Sequence, residues 1–178
     1  MNEWYILHVQ IGREEKVADI LKNKLSSKLY RPFIPYKEKI FRRAGVTTTF
    51  STICFPGYVF IESNTAAKVF YDNTKRLIWS IKEILSILSY DGKENFALVE
   101  SERLLLSMLL KDGDCIRVSS GIIVDGVLHV QSGALVGLEN HVVKINRSRM
   151  YAEIEVAILG NIQRVGVVLQ VLSSQTSL

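Results

Sequence analysis

The chain has 178 residues, of which 48% are hydrophobic and 22% are charged, so it can bury a folded core and is not an intrinsically disordered chain. No apolar run reaches the roughly 18 residues that a membrane-spanning helix requires. The formal net charge is +4. Residues 1–76 hold 13 Lys and Arg against 7 Asp and Glu, whereas residues 77–178 hold 9 against 11. The first part is therefore the better candidate for contact with a polyanion, although a solvated basic surface explains the same excess.

The sequence offers little for catalysis or metal binding. The two cysteines, Cys54 and Cys115, have no companions at metal-ligand spacing. We expect both to be buried, reduced thiols of a cytoplasmic protein, with a disulfide between them as the alternative, because the N-terminus carries no export signal. Gly133 and Gly137 are not followed by the Gly-Lys-Ser/Thr of a phosphate-binding loop. The sequence therefore predicts a protein that is not an enzyme and that has no metal and no cofactor.

The first 110 residues alternate between strand and helix patterns, which is typical of an α+β domain with an antiparallel sheet and packed helices. The strands are rich in β-branched and aromatic residues, whereas the helices carry apolar residues at three- and four-residue spacing. In chain order the pattern predicts a strand at 4–11, a helix at 13–28, a hairpin of strands at 36–43 and 46–54, a strand at 58–61, a short helix near 66–73 capped by Asn64 or Thr65, strands at 84–88 and 96–99, and a helix at 101–110.

The pattern changes at residues 111–114, which we interpret as a linker. From there to residue 172, short apolar runs alternate with Gly, Asn, Asp and Ser, which is typical of a small all-β barrel. The predicted strands are 115–118, 122–124, 127–131, 141–146, 150–158 and 164–172. We therefore predict domains at 1–110 and 115–172, followed by a polar, frayed tail at 173–178.

Two motifs in these domains resemble a known family. The first is carried by Trp4-Tyr5-Ile6-Leu7-His8-Val9, Gly12, Glu14, Val17, Phe55-Pro56-Gly57-Tyr58-Val59-Phe60-Ile61 and Asn73-Thr74, and it resembles the NGN domain of the NusG superfamily. The second runs from Val130 to Glu139 and from Val143 to Asn146, and it resembles a KOW motif. Both motifs stand in the family's order. The resemblance implies an NGN domain that binds RNA polymerase, followed by a KOW β-barrel that recruits further partners.

The segment from Ser119 to Val127 is similar to the lead-in of specialised LoaP-type paralogues. This resemblance implies a processive antiterminator that acts on particular operons. Ala134 stands where the family often has proline, and the family often has a glycine near Asn140 and His141. A general housekeeping NusG, which supports elongation and Rho-dependent termination, is therefore the alternative within the family.

The resemblance also implies a surface for the polymerase. In the family, an apolar face of the NGN sheet grips a coiled-coil tip of the polymerase clamp, and aromatic side chains suit that role because they bury a large area. The positions that carry this role over are Trp4, His8, Phe55, Pro56, Gly57 and Tyr58. We expect Gly57 to adopt a backbone angle that other residues resist. The alternative is that the large rings of this set only fill the domain core.

Basic residues form the candidate nucleic acid contacts, because Lys and Arg bind phosphates without reading sequence. They are Lys37, Lys39, Arg42 and Arg43 in the hairpin, Lys75 and Arg76 after the second helix, and Lys144, Arg147 and Arg149 at a turn of the barrel. The family resemblance adds Thr74, which with Lys75 and Arg76 occupies the region that relatives use for nucleic acid contact. Phe41 lies among the hairpin cations, where it can stack on a base. The alternative is a solvated hairpin tip and a charged turn.

Together these features predict a transcription elongation and antitermination factor that binds the polymerase clamp and suppresses pausing and termination. The resemblance adds an RNA hairpin in the nascent leader, or non-template DNA, as the nucleic acid, and a small ribosomal subunit protein or Rho as a partner of the KOW domain. It implies a monomer and no membrane. The alternative from another class is a free-standing RNA-binding module that does not contact polymerase.

Overall fold

The structure is a computed structural model that describes residues 2–90, 92 and 95–175, with the side chains of 173–175 left out. The chain divides into two compact units. The first unit comprises Met1–Pro35, Ile53–Leu104 and Ile158–Gly160, and the second comprises Tyr36–Thr52, Leu105–Ala157 and Asn161–Leu178. In chain order the described residues form β1 (Glu3–Val9), α1 (Glu14–Lys24), β2 (Tyr30–Phe33), β3 (Tyr36–Arg43), β4 (Val46–Ile53), β5 (Tyr58–Ser63), α2 (Ala67–Ser80), β6 (Ile84–Ile87), α3 (Glu100–Leu109), β7 (Cys115–Ile116), β8 (Ser119–Val124), β9 (Val127–Ser132), a 3₁₀ helix (Glu139–His141), β10 (Val142–Asn146), β11 (Tyr151–Ile158) and β12 (Asn161–Gln175).

The first unit is built on a four-stranded sheet with the strand order β2-β5-β1-β6. The central strand β1 pairs antiparallel with β5 and with β6. Side chains on both of its faces are buried: Tyr5 stacks on Phe70 of α2 with ring centroids 3.8 Å apart, and Trp4 meets the Phe33 ring edge-on at 5.0 Å. Aromatic packing on both faces therefore fixes β1 inside the unit.

The second unit contains a five-stranded sheet with the order β10-β11-β12-β8-β9, in which β12 runs parallel to β8. Strand β11 alternates strictly between buried and half-buried residues, with Ala152, Ile154 and Val156 turned inward. This alternation is typical of a strand with one face on a core. The predicted all-β second part is thus present, with only the short 3₁₀ turn interrupting its strands.

The β3–β4 hairpin belongs to the second unit, although the predicted boundary placed it in the first domain. Strand β3 pairs in parallel with β7 in the three-stranded sheet β4-β3-β7. The Glu38 carboxylate accepts hydrogen bonds from the Val118 backbone N–H at 2.7 Å and from Arg117 Nη1 at 2.9 Å. Residues 111–114, predicted as a linker, form a turn of this unit, where Asp114 N–H donates to Leu110. The assignment of functions to 1–110 and 115–172 stays a prediction.

Several predicted elements differ from the observed ones. Strand β2 was not predicted because it contains Pro32, which an edge strand of this sheet accommodates. Residues 96–99 form no strand; their Leu98 N–H donates to the Trp4 carbonyl oxygen as a single bond without a ladder. Helix α2 is longer than expected, and its first residue follows Ala66, whose side chain makes no capping bond. The predicted tail overlaps β12 as far as Gln175, and 176–178 lie outside the described residues.

Candidate functional site

A tight turn joins β4 to β5 in the first unit. It is closed by a hydrogen bond of 3.1 Å from Tyr58 N–H to the Phe55 carbonyl oxygen. Gly57 has φ of +84°, an angle that favours glycine, as the sequence predicts. Its N–H donates to Glu14 Oε1 at 2.7 Å, and its carbonyl accepts from Val9 N–H at 2.8 Å. Glu14 is only 2% exposed, so the turn is held by a buried carboxylate at the start of α1.

The largest rings of the predicted polymerase surface are buried, which corrects their assignment. Trp4 is 5% exposed and Phe55 is 3% exposed. The Phe55 ring lies 5.9 Å from the Phe60 ring and belongs to the aromatic core. Gly57, which lies within the turn, is also buried. The Trp4 and Phe55 rings therefore fill the core of the first unit, where they pack against Phe60.

The remaining members of the predicted set, His8, Pro56 and Tyr58, lie around Gly57. Ile11, which was not predicted, lies beside them, and we call these four residues the turn surface. His8 stands opposite Tyr58 in the strand register, with ring centroids 6.0 Å apart, and both are half-buried. Pro56 is exposed. A Cβ placed on Gly57 would lie 3.4 Å from Ile11 Cγ1 and 3.7 Å from His8 Cδ2, so both side chains border the turn.

The predicted first strand at 4–11 includes Ile11, yet the Ile11 side chain is 76% exposed. The strand ends at Val9, so alternation no longer dictates the direction of the next apolar side chain. Gly12, with φ of +81°, follows at once and marks a turn. That glycine was the signal in the sequence that Ile11 lies beyond the strand.

The basic hairpin of the second unit is exposed along most of its length. Its turn consists of Ala44 and Gly45, both with positive φ, as a two-residue hairpin turn requires. Lys39, Arg42 and Arg43 are exposed and Lys37 is half-buried. Phe41 is 55% exposed and Phe50 on β4 is 45% exposed. The hairpin thus combines cations with uncovered aromatic rings.

The three candidates on α2 divide between core and surface. Thr74 is fully buried and its hydroxyl donates to the Phe70 carbonyl at 2.7 Å, so this residue does not face a nucleic acid. Lys75 contacts Asp72 Oδ1 at 2.7 Å and lies 5.3 Å from the centre of the Tyr71 ring. The hydrogen bond and charge of Asp72 raise the pKa of the Lys75 ammonium. Arg76 is exposed.

The candidates on the barrel lie at the turn between β10 and β11. Asn146 Oδ1 accepts hydrogen bonds from Ser148 Oγ and from Arg149 N–H, both at 2.9 Å, and so closes this turn. Lys144, Arg147 and Arg149 are exposed, and Lys144 approaches a carboxylate oxygen of Glu153 at 3.7 Å. These residues and the basic hairpin belong to the second unit, whereas Lys75 and Arg76 belong to the first.

Cys54 and Cys115 are both buried, as expected, and no disulfide joins them. Among residues 2–90, 92 and 95–175, no three His, Cys, Asp or Glu side chains are grouped to hold a metal ion. Within the same residues, no helix has the length and apolar character needed to cross a membrane.

The architecture defines an α+β unit and a β unit of a kind already known. A solved structure described as domain interaction in Thermotoga maritima NusG matches 94% of this chain and 93% of its own, with a TM-score of 0.56 and 20% identity. That likeness confirms the predicted fold class, an α+β NGN-type domain followed by a small β domain of KOW type.

The family follows from the sequence itself. A family model described as transcription termination factor nusG matches residues 2–106. Over 64 residues the chain is 33% identical to the transcription termination/antitermination protein NusG of Halalkalibacterium halodurans, a match that covers 33% of this chain and 36% of that protein. The chain thus spans about a third of this curated relative. It belongs to the NusG family of transcription termination and antitermination factors.

Proposed function

We propose that this protein binds the RNA polymerase clamp through the turn surface, suppresses pausing and termination, and contacts nucleic acid through its basic hairpin. Family membership supports the link to transcription. The observation that carries the polymerase contact is the anchored turn, in which the buried Glu14 carboxylate and β1 hold Gly57 while Pro56 stays exposed. An exposed apolar surface on a rigid support loses little conformational entropy when it binds.

The turn surface offers two half-buried rings and two apolar side chains to a helical partner. Aromatic side chains are common in the energetically important centres of interfaces, since they bury a large area for few lost rotamers. Ile11 adds the most exposed large apolar side chain among the described residues, at 76%. Because neither Trp4 nor Phe55 reaches this surface, the contact rests on His8, Ile11, Pro56 and Tyr58.

The first prediction concerns this contact. The double variant Ile11→Ala and Tyr58→Ala should weaken binding to a fragment of the polymerase clamp helices by at least about 2 kcal/mol, the scale of an interface hot spot. Stability should change little, since Ile11 is exposed and Tyr58 is half-buried. Calorimetric titration of the fragment with each purified protein measures the loss.

Ile162→Ala provides the matched control, because Ile162 is 70% exposed but belongs to the second unit. It should bind the clamp fragment as the unaltered chain does. Undiminished binding by the double variant, with both proteins folded, would show that the polymerase is held elsewhere.

Nucleic acid contact is assigned to the hairpin by its charge and exposure. Lys39, Arg42 and Arg43 are exposed and sit on a strand whose Phe41 ring is also uncovered. Cations bind phosphates and release counterions, and an exposed ring can stack on a base. We assign an RNA hairpin of the nascent leader as the target, in keeping with the LoaP-type resemblance of Ser119 to Val127.

The second prediction is a change in salt dependence. Arg42→Ala with Arg43→Ala should reduce the slope of log K against log salt by about 1.5, the contribution of two phosphate contacts. Filter binding of a leader RNA hairpin between low and moderate salt gives the slope. Lys24→Ala with Lys28→Ala, which removes two exposed cations from the first unit, should leave it unchanged. Equal slopes for both double variants would show that the β3–β4 hairpin does not contact the RNA.

Two other functions lead to different results. A general NusG would support elongation and Rho-dependent termination on most genes, whereas a specialised antiterminator would act only on templates that carry its leader element. In vitro transcription across a terminator, with and without the leader, separates these two. A free-standing RNA-binding module would bind RNA without binding the clamp fragment.

A small ribosomal subunit protein or Rho stays a candidate partner of the KOW-type domain, in which Lys144, Arg147 and Arg149 are exposed.

A further inference from the structure

The outer edge of strand β4 in the second unit is unpaired in the part of the chain that the structure describes, because β4 ends the three-stranded sheet β4-β3-β7. The strand Val46–Ile53 has the sequence VTTTFSTI, and its residues are exposed as far as Ser51. Natural proteins protect such edges from pairing with other chains by charged side chains, by proline or by short strand length. Strand β4 has none of these protections, so its edge is open to a further strand.

The hairpin register shows which backbone groups of β4 point outward. A two-residue turn places Arg43 opposite Val46 as a hydrogen-bonded pair. The bond of 2.7 Å from Cys54 N–H to the Pro35 carbonyl oxygen continues the same register beyond the end of the strand. Because the bonding direction alternates along an antiparallel strand, every second residue of β4 directs its backbone N–H and C=O away from β3. These residues are Thr47, Thr49 and Ser51.

The sequence of β4 is complementary to itself about Thr49. When two copies of the strand lie antiparallel with Thr49 opposite Thr49, each Thr47 stands opposite Ser51 of the second copy, and the outward backbone groups form about six hydrogen bonds. The hydroxyl groups of these residues share one face, where they can bond to each other. On the other face Phe50, which is 45% exposed, stands opposite Thr48 of the second copy. Pairs of an aromatic with a β-branched residue are favourable in sheets.

The charges of the hairpin permit this pairing. Its exposed cations, Lys39, Arg42 and Arg43, lie on β3, so pairing of β4 with β4 places the two basic strands on the outside. Three strand spacings then separate them by about 14 Å, which exceeds the Debye length of about 8 Å at physiological ionic strength. An acidic segment of another protein would be attracted to β3 but would find no cation on β4. A second copy of this chain brings a neutral strand of matching length and register.

We propose that two copies of this chain associate through their β4 edges and form a two-fold dimer centred on Thr49. The interface is isologous, because the same strand serves both copies. One strand from each copy makes a small interface, so we expect a weak dimer that forms as the protein concentration rises. This inference departs from the monomer that the family resemblance implies. It goes beyond the proposed polymerase and nucleic acid contacts, neither of which is assigned to a residue of β4.

Cysteine crosslinking tests the two-fold register. The Cα atoms of opposite residues in a hydrogen-bonded pair lie about 5.5 Å apart, which a disulfide can bridge, so Thr49→Cys should form a covalent dimer on mild oxidation. Thr47→Cys is the matched control, since it changes an exposed threonine on the same face of the same strand. In the proposed pairing the two copies of residue 47 lie about 14 Å apart, so this variant should not crosslink. The native Cys54 and Cys115 are buried.

Sedimentation velocity tests the association itself. The unaltered chain should show a dimer fraction that increases with concentration. Thr49→Pro removes an outward N–H without removing a bond to β3, and it should abolish the dimer. Thr49→Lys should weaken the dimer about threefold or more, because like charges then stand opposite each other. Gln131→Lys adds the same charge to β9, which is the edge of the five-stranded sheet, and should leave the dimer unchanged.

Three results would overturn the inference. The first is a chain that stays monomeric at every concentration and gives no covalent dimer with Thr49→Cys. The second is equal crosslinking of Thr49→Cys and Thr47→Cys, which indicates random encounters rather than one register. The third is a dimer that survives both Thr49→Pro and Thr49→Lys or is lost with Gln131→Lys, since the copies would then meet at another surface.

Discussion

Replacement of Gly133 by alanine should unfold the second unit or lower its stability by at least about 3 kcal/mol, from backbone strain and overpacking together. An added Cβ would lie 2.1 Å from the Val118 carbonyl oxygen and 2.5 Å from Ser119 Cα. These are backbone atoms at the start of β8, so they cannot rotate away as a side chain can. Gly133 also has φ of +90°. The thermal midpoint followed by circular dichroism measures the effect.

Gly126→Ala separates the clash from the backbone strain. Gly126 has φ of +83° and nothing within 4 Å of an added Cβ, so only the left-handed conformation is penalised, by about 1–2 kcal/mol. The loop after Gly133 is further fixed by a hydrogen bond of 3.0 Å from Leu135 N–H to Ser119 Oγ. Equal thermal midpoints for the two variants would show that the close approach at Gly133 is absent in solution.

Phe55→Ala should lower the stability of the first unit by about 3–5 kcal/mol, as truncation of a buried phenylalanine generally does. The ring is 3% exposed and packs against Phe60, which is fully buried. The loss of polymerase binding in this variant would then follow from unfolding rather than from a missing contact. Tryptophan emission during urea denaturation follows this unit, because both tryptophans belong to it.

Phe41→Ala is the same chemical change at a site that is 55% exposed, and it should alter stability by less than about 0.5 kcal/mol, as is usual for surface substitutions. The two variants together therefore test burial rather than residue type. If Phe55→Ala kept full stability but lost affinity for the clamp fragment, the ring would be a contact after all, as its place in the motif first suggested.

Local sequence patterns predict much of this fold, because periodicity and turn residues act over about a dozen positions. Strand β1, helix α1 and the β3–β4 hairpin follow from such patterns. The placement of the hairpin in the second unit does not, since it depends on pairing of Tyr36 and Lys37 with residues almost 80 positions later. Edge strand β2 is not predicted from the sequence for a related reason. Whether Pro32 is tolerated in a strand depends on the position of that strand in the sheet.

The candidate site is harder to predict from the sequence than the fold is. An aromatic ring suits a core and an interface equally well, so residue type cannot reveal that Phe55 is buried while Tyr58 is partly exposed. Thr74 has a polar side chain of the kind that makes surface contacts, but its hydroxyl donates a hydrogen bond to the backbone of its own helix. Glu14 suits an exposed first helical turn by its charge, yet it is buried and accepts a hydrogen bond from Gly57 N–H. Each of these outcomes is decided by tertiary neighbours.

The assignment of the β3–β4 hairpin to the second unit has a consequence for synthesis on the ribosome. Its residues 36–52 leave the ribosome long before β7 and β8 do. The hairpin therefore cannot pair with β7 until the intervening chain has been made. Long-range pairing of this kind raises contact order and slows folding. A fragment that begins at residue 111 would lack this hairpin altogether, so β7 would be left without the strand that pairs with it in parallel.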